Sequence, residues 1–254
     1  MGKFEGIFIA TDVDGTLVKS DTTISEENIE AIRYFQSEGG IFTIATGRYP
    51  DYVKENYAKH ISINDYLISL NGNIIYDMNS NCKVRVSKMD KADTQDIMDY
   101  IMNTFSDKIN FINVCDEDES YRYEGSVERD TCKCVIVAND RDAALEIRDN
   151  LRNRCTGTHN IERSWPTGVE IYSKTSGKGE AVKYICSTLK PGIKKIICVG
   201  DYENDVSMLK AADTSYAVMN ATDEAKAAAD KICPVDNNNH AIAWIIRDLE
   251  NEGI

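Results

Sequence analysis

The sequence has no long apolar stretch and no excess of positive charge. None of its runs approaches the 18 or so apolar residues of a membrane-spanning helix, so no association with a membrane is expected. Acidic residues outnumber Lys and Arg by 42 to 29, and the formal net charge is -13. Because a nucleic-acid backbone requires a basic surface, this composition argues against a nucleic-acid partner.

Cysteine pairs with the CxxC spacing of metal sites are also missing. The eight cysteines include no CxxC pair, and Cys132 and Cys134 have no accompanying HxxxH motif. A zinc site is therefore not expected, and the simplest interpretation is a set of reduced thiols in a cytoplasmic protein. The N-terminal residues lead almost directly into a predicted strand and lack the features of a signal peptide, which agrees with that location.

Strands and helices alternate in the first and last parts of the chain, whereas the middle is richer in strands. The alternation predicts a doubly wound α/β core with a mostly parallel, Rossmann-like sheet, formed by residues 1–87 and 175–254. Residues 88–174 combine several short strands with helices near 90–105 and 141–153. This middle segment therefore predicts an inserted α+β domain.

A pair of aspartates follows the first predicted strand. The motif DVDGT begins at Asp12, directly after a short apolar run, and places Asp12 and Asp14 at the carboxyl end of that strand. Open α/β sheets bind their ligands at this edge. Aspartate is also common in ordinary turns, so one such pair by itself is only an indication of a site.

Polar residues also follow three other predicted core strands. Thr46, Gly47 and Arg48 follow one of these strands, Asn71 follows another, and Asp201 and Asp205 follow the third. In a doubly wound sheet such strand ends meet at one edge. Together with Lys178, which begins a predicted helix after a glycine, they favour a functional site over a coincidence of turn residues.

The combined motifs resemble the haloacid dehalogenase-like hydrolases, in particular the Cof-type sugar-phosphatase branch with a large cap domain of the C2 type. Four segments that span nearly the whole chain carry the resemblance, namely Asp12–Leu17, Ala45–Arg48, Gly177–Gly179 and Gly200–Leu209. Two residues depart from the branch, since Thr11 replaces the usual aromatic residue and Asn73 the usual alanine. Neither change affects a group that would react.

The resemblance implies a phosphatase that works through an aspartyl-phosphate. Asp12 would be the nucleophile, Asp14 the general acid and base, and Lys178 the cation beside them. Attack of a carboxylate on a phosphate dianion requires a further cation, and oxygen ligands indicate Mg²⁺. By resemblance, the Asp12 carboxylate, the Asp14 backbone carbonyl and Asp201 would bind the metal, with Asp205 in support.

The resemblance also indicates how a substrate would bind. Thr46, Gly47 and the backbone amides after Asp14 would hold the phosphoryl oxygens, and Asn204 and Asn71 would donate hydrogen bonds to the phosphate. Arg48 would do the same or would only pair with a carboxylate of the core. The expected substrate is a small phosphorylated metabolite, such as a sugar phosphate or a phosphorylated cofactor, beneath the inserted cap.

Two other functions stay open at this point. One is a phosphomutase acting on a sugar phosphate, and the other is a phospho-receiver signalling module, which also uses Asp, Thr and Lys at strand ends. The inserted domain and Asp14 argue against a receiver. An EF-hand loop starting at Asp12 is excluded, because Gly15 stands at its fourth position instead of the sixth. A Walker A loop ending at Gly177 and Lys178 is excluded, because Tyr172 stands in place of its first glycine.

Overall fold

The computed structural model describes residues 2–253, which divide into two compact units. One unit comprises residues 2–84 and 178–253, and the other comprises Arg85–Gly177. The insertion predicted at 88–174 falls inside the second unit. Among the described residues, none of the helices has the length and apolar character needed to cross a membrane.

Strands and α-helices follow one another through most of the chain. The first part contains β1 (Ile7–Thr11), α1 (Glu26–Ser37), β2 (Ile41–Ile44), α2 (Pro50–Asn56), β3 (Tyr66–Ser69), β4 (Ile74–Asp77) and β5 (Cys82–Val86). The middle contains α3 (Lys91–Phe105), β6 (Ile109–Cys115), β7 (Ser120–Arg122), β8 (Lys133–Ala138), α4 (Arg141–Arg154), β9 (His159–Trp165) and β10 (Gly168–Ser173). The last part contains α5 (Lys178–Tyr184), β11 (Lys195–Gly200), α6 (Val206–Leu209), β12 (Thr214–Ala217), α7 (Asp223–Ala228), β13 (Lys231–Ile232) and α8 (Ala241–Asn251).

A parallel five-stranded sheet forms the centre of the first unit. Its strand order is β13-β12-β11-β1-β2, and every neighbouring pair is parallel. All residues of β1 are buried, as expected for a strand covered on both faces. The mostly parallel α/β fold predicted from the sequence is therefore confirmed. Because the strands are parallel, the residues that follow β1, β2 and β11 emerge at one edge.

The strand before Asn71, which the sequence predicts as a core strand, does not belong to the main parallel sheet. β3 pairs antiparallel with β4, in a separate three-stranded sheet of order β3-β4-β5. It still reaches the main sheet, because Ala45 and Ile68 form a parallel bridge and the Thr46 amide donates to the Ile68 carbonyl at 2.9 Å. Asn71, which follows β3, is thereby brought beside the end of β2.

The start of α1 and its buried face are both determined by residues close together in the sequence. Ser25 caps α1, since its side chain accepts a hydrogen bond from the Asn28 amide at 3.3 Å. The buried face of α1 includes Ile29, Ile32 and Phe35, which have the spacing of one helical stripe. In the sequence, Ser25, this apolar spacing and the following Gly39-Gly40 predict a helix over 26–38, and the observed helix ends one residue earlier. Burial of each such side chain stabilises the fold by about 1.5–3 kcal/mol.

The second unit is an antiparallel sheet with helices packed on one face. Its strand order is β7-β6-β8-β10-β9, with antiparallel neighbours throughout. Alternate strand residues join helical residues in one buried cluster, for example Val114, Ile136 and Ile171 with Ile101 of α3 and Ile147 of α4. The inserted module is therefore α+β, as the run of strands predicts.

Several short elements carry no clear signal in the sequence. Helices α2, α6 and α7 and strand β13 were not predicted, because elements this short contain too few residues to show a hydrophobic period. The sequence also predicts one helix over 178–189, since Ala181, Val182, Ile185 and Leu189 share a face, but this helix is not uniform. It is α-helical up to Tyr184 and continues as a π-helical turn at Ile185–Leu189.

Candidate active site

The strand ends of the first unit bring the predicted site residues together. The Asp12 amide donates to the Val199 carbonyl of β11 at 2.9 Å, so the segment after β1 stays in register with the sheet. The Asn71 amide donates to the Thr46 carbonyl at 2.8 Å, which ties the ends of β2 and β3 together. Asp201 directly follows β11. The sheet register thus places all four segments along one edge.

Lys178 joins two carboxylates that are far apart in the sequence. It begins α5 and is fully buried. Its Nζ lies 2.5 Å from Oδ1 of Asp12 and 2.7 Å from Oδ1 of Asp205. A buried ammonium is tolerated because both carboxylates compensate its charge. The lysine therefore holds the Asp12 side chain in place and provides positive charge directly beside it.

The loop after β11 is folded around the second oxygen of Asp205. Oδ2 of Asp205 accepts hydrogen bonds from the amides of Asp201 and Tyr202, at 3.0 and 3.1 Å. Oδ1 of Asp201 accepts the hydroxyl hydrogen bond of Thr16 at 2.8 Å. Asp205 therefore connects Lys178 to the backbone of the loop and orients Asp201 indirectly.

Three buried carboxylates share this small space. Ligand oxygens of Asp12, Asp201 and Asp205 lie within 4.8 Å of one another. Burial raises the pKa of Asp12 to about 7 against the opposing effect of the Lys178 ammonium, and the Asp205 carboxylate adds to the rise. Burial and the two neighbouring carboxylates also hold the pKa of Asp201 well above its ordinary value. Ionised carboxylates are thus costly here without a further cation.

The donor set fits a divalent metal ion. Three carboxylates and one ammonium leave two negative charges uncompensated when all four groups are ionised. Carboxylate and carbonyl oxygens are the ligands that Mg²⁺ prefers, and the cluster contains no nitrogen or sulfur ligand among its three members. The residues therefore match the metal assignment made from the resemblance, although their roles as ligands stay a prediction.

Thr46, Asn71 and Asn204 are close to this cluster in the fold and are almost fully buried. Thr46 is 1% exposed, Asn71 0% and Asn204 5%. Asn204 Nδ2 donates to Asn71 Oδ1 at a long 3.4 Å. Asn71 has left-handed backbone angles (φ 55°), so the chain turns sharply at this point. Gly47 lies in the turn between Thr46 and Arg48. Phosphate binding by these residues stays a prediction.

Arg48 pairs with the side chain of Asp14, one of the two alternatives that the sequence left open. Its Nε lies 2.8 Å from Oδ2 of Asp14, and its Nη2 lies 2.7 Å from Oδ1. The pair is partly open to solvent, since the Asp14 side chain is 52% exposed and that of Arg48 32%. Asp14 is thus the more accessible of the two aspartates in the first motif.

Sequence reasoning gave no role to two residues that shape this loop. Thr16 bonds Asp201, as described above, and Asn220 Nδ2 donates to the Gly15 carbonyl at 2.8 Å. Gly15 has φ 85°, and a Cβ at this position would lie 2.5 Å from Oδ2 of Asp201. Thr16 belongs to the motif that begins at Asp12, and Asn220 directly follows the apolar, strand-like run at 215–219, so the sequence contained a signal for each.

Gly179 allows α5 and α6 to approach closely, and its replacement tests how strictly Lys178 must be placed. A Cβ at Gly179 would lie 2.3 Å from the Ser207 carbonyl oxygen, whereas one at Gly192 would meet nothing within 4 Å. We expect Gly179→Ala to cost about 1–3 kcal/mol in the free energy of unfolding, because the helices must separate. We also expect it to lower kcat by roughly tenfold or more, since Lys178 would move.

Thermal unfolding and turnover of 4-nitrophenyl phosphate measure these two effects. Gly192→Ala is the matched control and should behave as wild type in both. If Gly179→Ala were as stable and as active as Gly192→Ala, the close packing of α5 on α6 would have no importance for the site.

Fold and site together fit an α/β enzyme of phosphoryl transfer. Comparison with known families makes the assignment specific, because the profile of the haloacid dehalogenase-like hydrolases matches residues 9–130 and 113–246. The chain therefore belongs to this family, in its Cof-type branch. It is a phosphoric monoester hydrolase, so the receiver-module alternative is not supported.

Individual relatives agree with this assignment. The 5-amino-6-(5-phospho-D-ribitylamino)uracil phosphatase YcsE of Bacillus subtilis (strain 168) is 29% identical over 239 residues, which cover 94% of each chain. The structure of a HAD/COF-like hydrolase from Plasmodium vivax aligns with a TM-score of 0.83 at 22% identity, over 99% of this chain and 97% of the other. A HAD subclass IIB sugar phosphatase aligns with a TM-score of 0.76 at 19% identity, over 97% and 98%. These two structures share the fold of this chain.

Proposed function

We propose that the protein is a Mg²⁺-dependent phosphatase that hydrolyses a small phosphate monoester through an aspartyl-phosphate on Asp12. The observation that carries this proposal is the contact of a buried lysine, Lys178, with Asp12 at the carboxyl edge of the parallel sheet. A carboxylate that attacks a phosphate needs a fixed orientation and nearby positive charge. Lys178 provides both.

In the first step, an Asp12 oxygen forms a bond to phosphorus and the bond from phosphorus to the leaving oxygen breaks. The leaving oxygen keeps the electron pair and takes a proton from Asp14, so a neutral alcohol departs. In the second step, Asp14 accepts a proton from a water molecule whose oxygen bonds to phosphorus. The bond between phosphorus and Asp12 then breaks, which releases inorganic phosphate and restores the carboxylate.

The metal would be held by the Asp12 and Asp201 carboxylates and the Asp14 backbone carbonyl, with Asp205 in support. When bound, it supplies the positive charge that lets an anionic nucleophile approach a phosphate dianion. Thr46 and the backbone amides after Asp14 would orient the phosphoryl oxygens, and Asn204 and Asn71 would donate to them.

Two observations favour a small substrate. The net charge of -13 argues against a nucleic-acid substrate, whose backbone requires a basic surface. The names of the relatives refer to small molecules, since one is a phosphatase of a phosphorylated ribitylaminouracil and another a sugar phosphatase. We therefore propose a sugar phosphate or a phosphorylated cofactor as the substrate. We further propose that residues 88–174 act as a cap domain that determines which one is preferred.

Phosphate release from a panel of phosphorylated sugars, nucleotides and cofactors tests this function. With Mg²⁺ present, a phosphatase should release many equivalents of phosphate per enzyme, whereas a phosphomutase would interconvert isomers and release almost none. Exchange of residues 88–174 for the matching segment of the Bacillus subtilis relative should then change the ranking of substrates but not the need for Asp12. A much higher kcat/KM for a phosphoprotein would contradict the proposed substrate class. A ranking of substrates that the exchange leaves unchanged would contradict the proposed role of residues 88–174.

Activity should depend on added Mg²⁺, and binding should be visible without any turnover. At saturating Mg²⁺ we expect the midpoint of thermal unfolding to rise by about 5–10 °C, because a ligand bound only by the folded state stabilises it. Asp201→Ala should remove this shift. In the absence of metal this variant should unfold at a higher temperature than wild type, since one of three crowded carboxylates is gone.

Asp142→Ala is a suitable control, because Asp142 is exposed and lies in the second unit. It should keep the full Mg²⁺-dependent shift. Full activity in excess chelator, with no metal detected by elemental analysis, would refute the metal assignment.

A further inference from the structure

The ion pair between Arg48 and Asp14 engages the group that the proposed mechanism uses as acid and base. Each carboxylate oxygen of Asp14 accepts one guanidinium N–H, at 2.8 and 2.7 Å. This planar, two-point contact restricts the side chain more than a single hydrogen bond does. Asp14 therefore does not rotate freely, although 52% of its side chain is exposed.

Arg48 is itself well fixed, so it can act as a support. Its carbonyl accepts hydrogen bonds from the Ser69 hydroxyl at 2.5 Å and from the Leu70 amide at 3.2 Å. Its own amide donates to Thr46 Oγ1 at 3.3 Å. Its guanidinium carbon lies 4.3 Å from the centre of the Tyr52 ring, which restrains the end of the side chain through a cation–π contact.

We propose that Arg48 is a positioning residue that acts through Asp14, and that it does not bind the substrate phosphate. This inference rests on the proposed function, because it assumes that Asp14 exchanges protons with the leaving group and with water. Arg48 would aim the Asp14 carboxyl at those two partners. Without it, an exposed aspartate would spend much of its time in other rotamers.

The number of available donors and acceptors shows how one arginine serves both steps. An ionised carboxylate accepts two guanidinium hydrogen bonds, and this is the state that takes a proton from water. In the acid, the oxygen with the hydroxyl donates to the leaving group. The other oxygen still accepts a guanidinium hydrogen bond, which orients the side chain. Arg48 therefore supports Asp14 in both protonation states.

If Arg48 bound the phosphate directly, its loss would affect the kinetics differently from the loss of a residue that orients Asp14. An arginine that binds the phosphoryl group would stabilise every phosphate ester to a similar extent, whatever its leaving group. An arginine that orients the acid matters only where the leaving group needs a proton. The dependence of kcat/KM on the leaving group therefore separates the two roles, because kcat/KM reports the steps up to departure of the alcohol.

The experiment uses a series of substituted phenyl phosphates, which have nearly constant shape and range from 4-nitrophenyl phosphate to phenyl phosphate. For Arg48→Gln we expect kcat/KM to fall about tenfold or more with phenyl phosphate and less than about twofold with 4-nitrophenyl phosphate. Arg48→Lys, which keeps one donor and the charge, should recover part of the loss. In the Asp14→Asn background, Arg48→Gln should have almost no further effect.

Lys54→Gln is the matched control. Lys54 is a nearby cation of α2 that pairs with Asp51 at 2.6 Å and lies over the Tyr76 ring, so its loss removes similar charge without touching Asp14. It should leave the dependence on the leaving group unchanged. Thermal unfolding of every variant, Arg48→Lys included, establishes that the fold is retained.

The outcomes distinguish this inference from the proposed function. An equal loss across the series for Arg48→Gln would identify a phosphate-binding residue and overturn the inference, as would an unchanged series or additive effects in the double variant. If Asp14→Asn itself showed the wild-type dependence on the leaving group, the acid role in the proposed function would fail. The expected pattern in both variants supports the two together.

Discussion

Asp12→Asn is expected to lower turnover by about four orders of magnitude or more, since loss of a covalent nucleophile removes the reaction path itself. The amide has nearly the shape of the carboxylate but is a poor nucleophile. Its oxygen can still accept the hydrogen bond from Lys178 that the structure shows at 2.5 Å. The variant should therefore fold, and its midpoint of thermal unfolding should stay close to that of wild type.

Phosphate release under saturating substrate and Mg²⁺ measures the effect, and rapid acid quench followed by mass spectrometry detects the phosphorylated aspartate in wild type only. Asp51→Asn is the control, because this aspartate belongs to the same unit but its side chain is 81% exposed. It should retain full activity. If Asp12→Asn kept most of the wild-type kcat, the nucleophile would be another residue and the mechanism would be wrong.

Asp14→Asn should slow both formation and breakdown of the phospho-enzyme, by about 10²–10⁴-fold for a substrate with a poor leaving group. The amide cannot give a proton to the leaving oxygen or take one from water. It still accepts one hydrogen bond from Arg48, so the orientation of the side chain is partly kept. With 4-nitrophenyl phosphate, whose leaving group departs without a proton, formation of the phospho-enzyme should be largely rescued.

Breakdown should stay slow with every substrate, because the attacking water is the same. Rapid-quench measurements therefore predict a burst of nitrophenol equal to the enzyme concentration, followed by a slow steady state. Equal slowing of the first step for good and poor leaving groups would count against Asp14 as the acid. Rapid breakdown would count against it as the base.

Features that depend on neighbouring residues could be predicted from the sequence. The Ser25 cap and the apolar spacing of Ile29, Ile32 and Phe35 predicted α1 closely, because capping and periodicity are local properties. The apolar run before Asp12 predicted a buried strand in the same way. The parallel fold then followed from the alternation of such elements, and with it the expectation that polar residues at strand ends share one edge.

Short elements and exceptions to that pattern could not be predicted. A four-residue helix such as α6 has no measurable period, and it is stabilised by the contacts that surround it. The apolar run of β3 is equally compatible with the main sheet and with the small antiparallel one. Its pairing with β4 depends on the hairpin that follows and on packing between distant segments, which neither strand encodes alone.

By itself the sequence determined which groups are present at the site and on which strand ends they lie. Only the tertiary structure decided their partners. Lys178 reaches Asp12 across 166 positions in the chain, and Arg48 reaches Asp14 across 34. Such contacts depend on how helices and strands pack to within fractions of an ångström. A long, flexible Lys or Arg side chain could pair with any of several carboxylates within its reach. The register of β1 against β11 and the close approach of α5 to α6 select one partner among them.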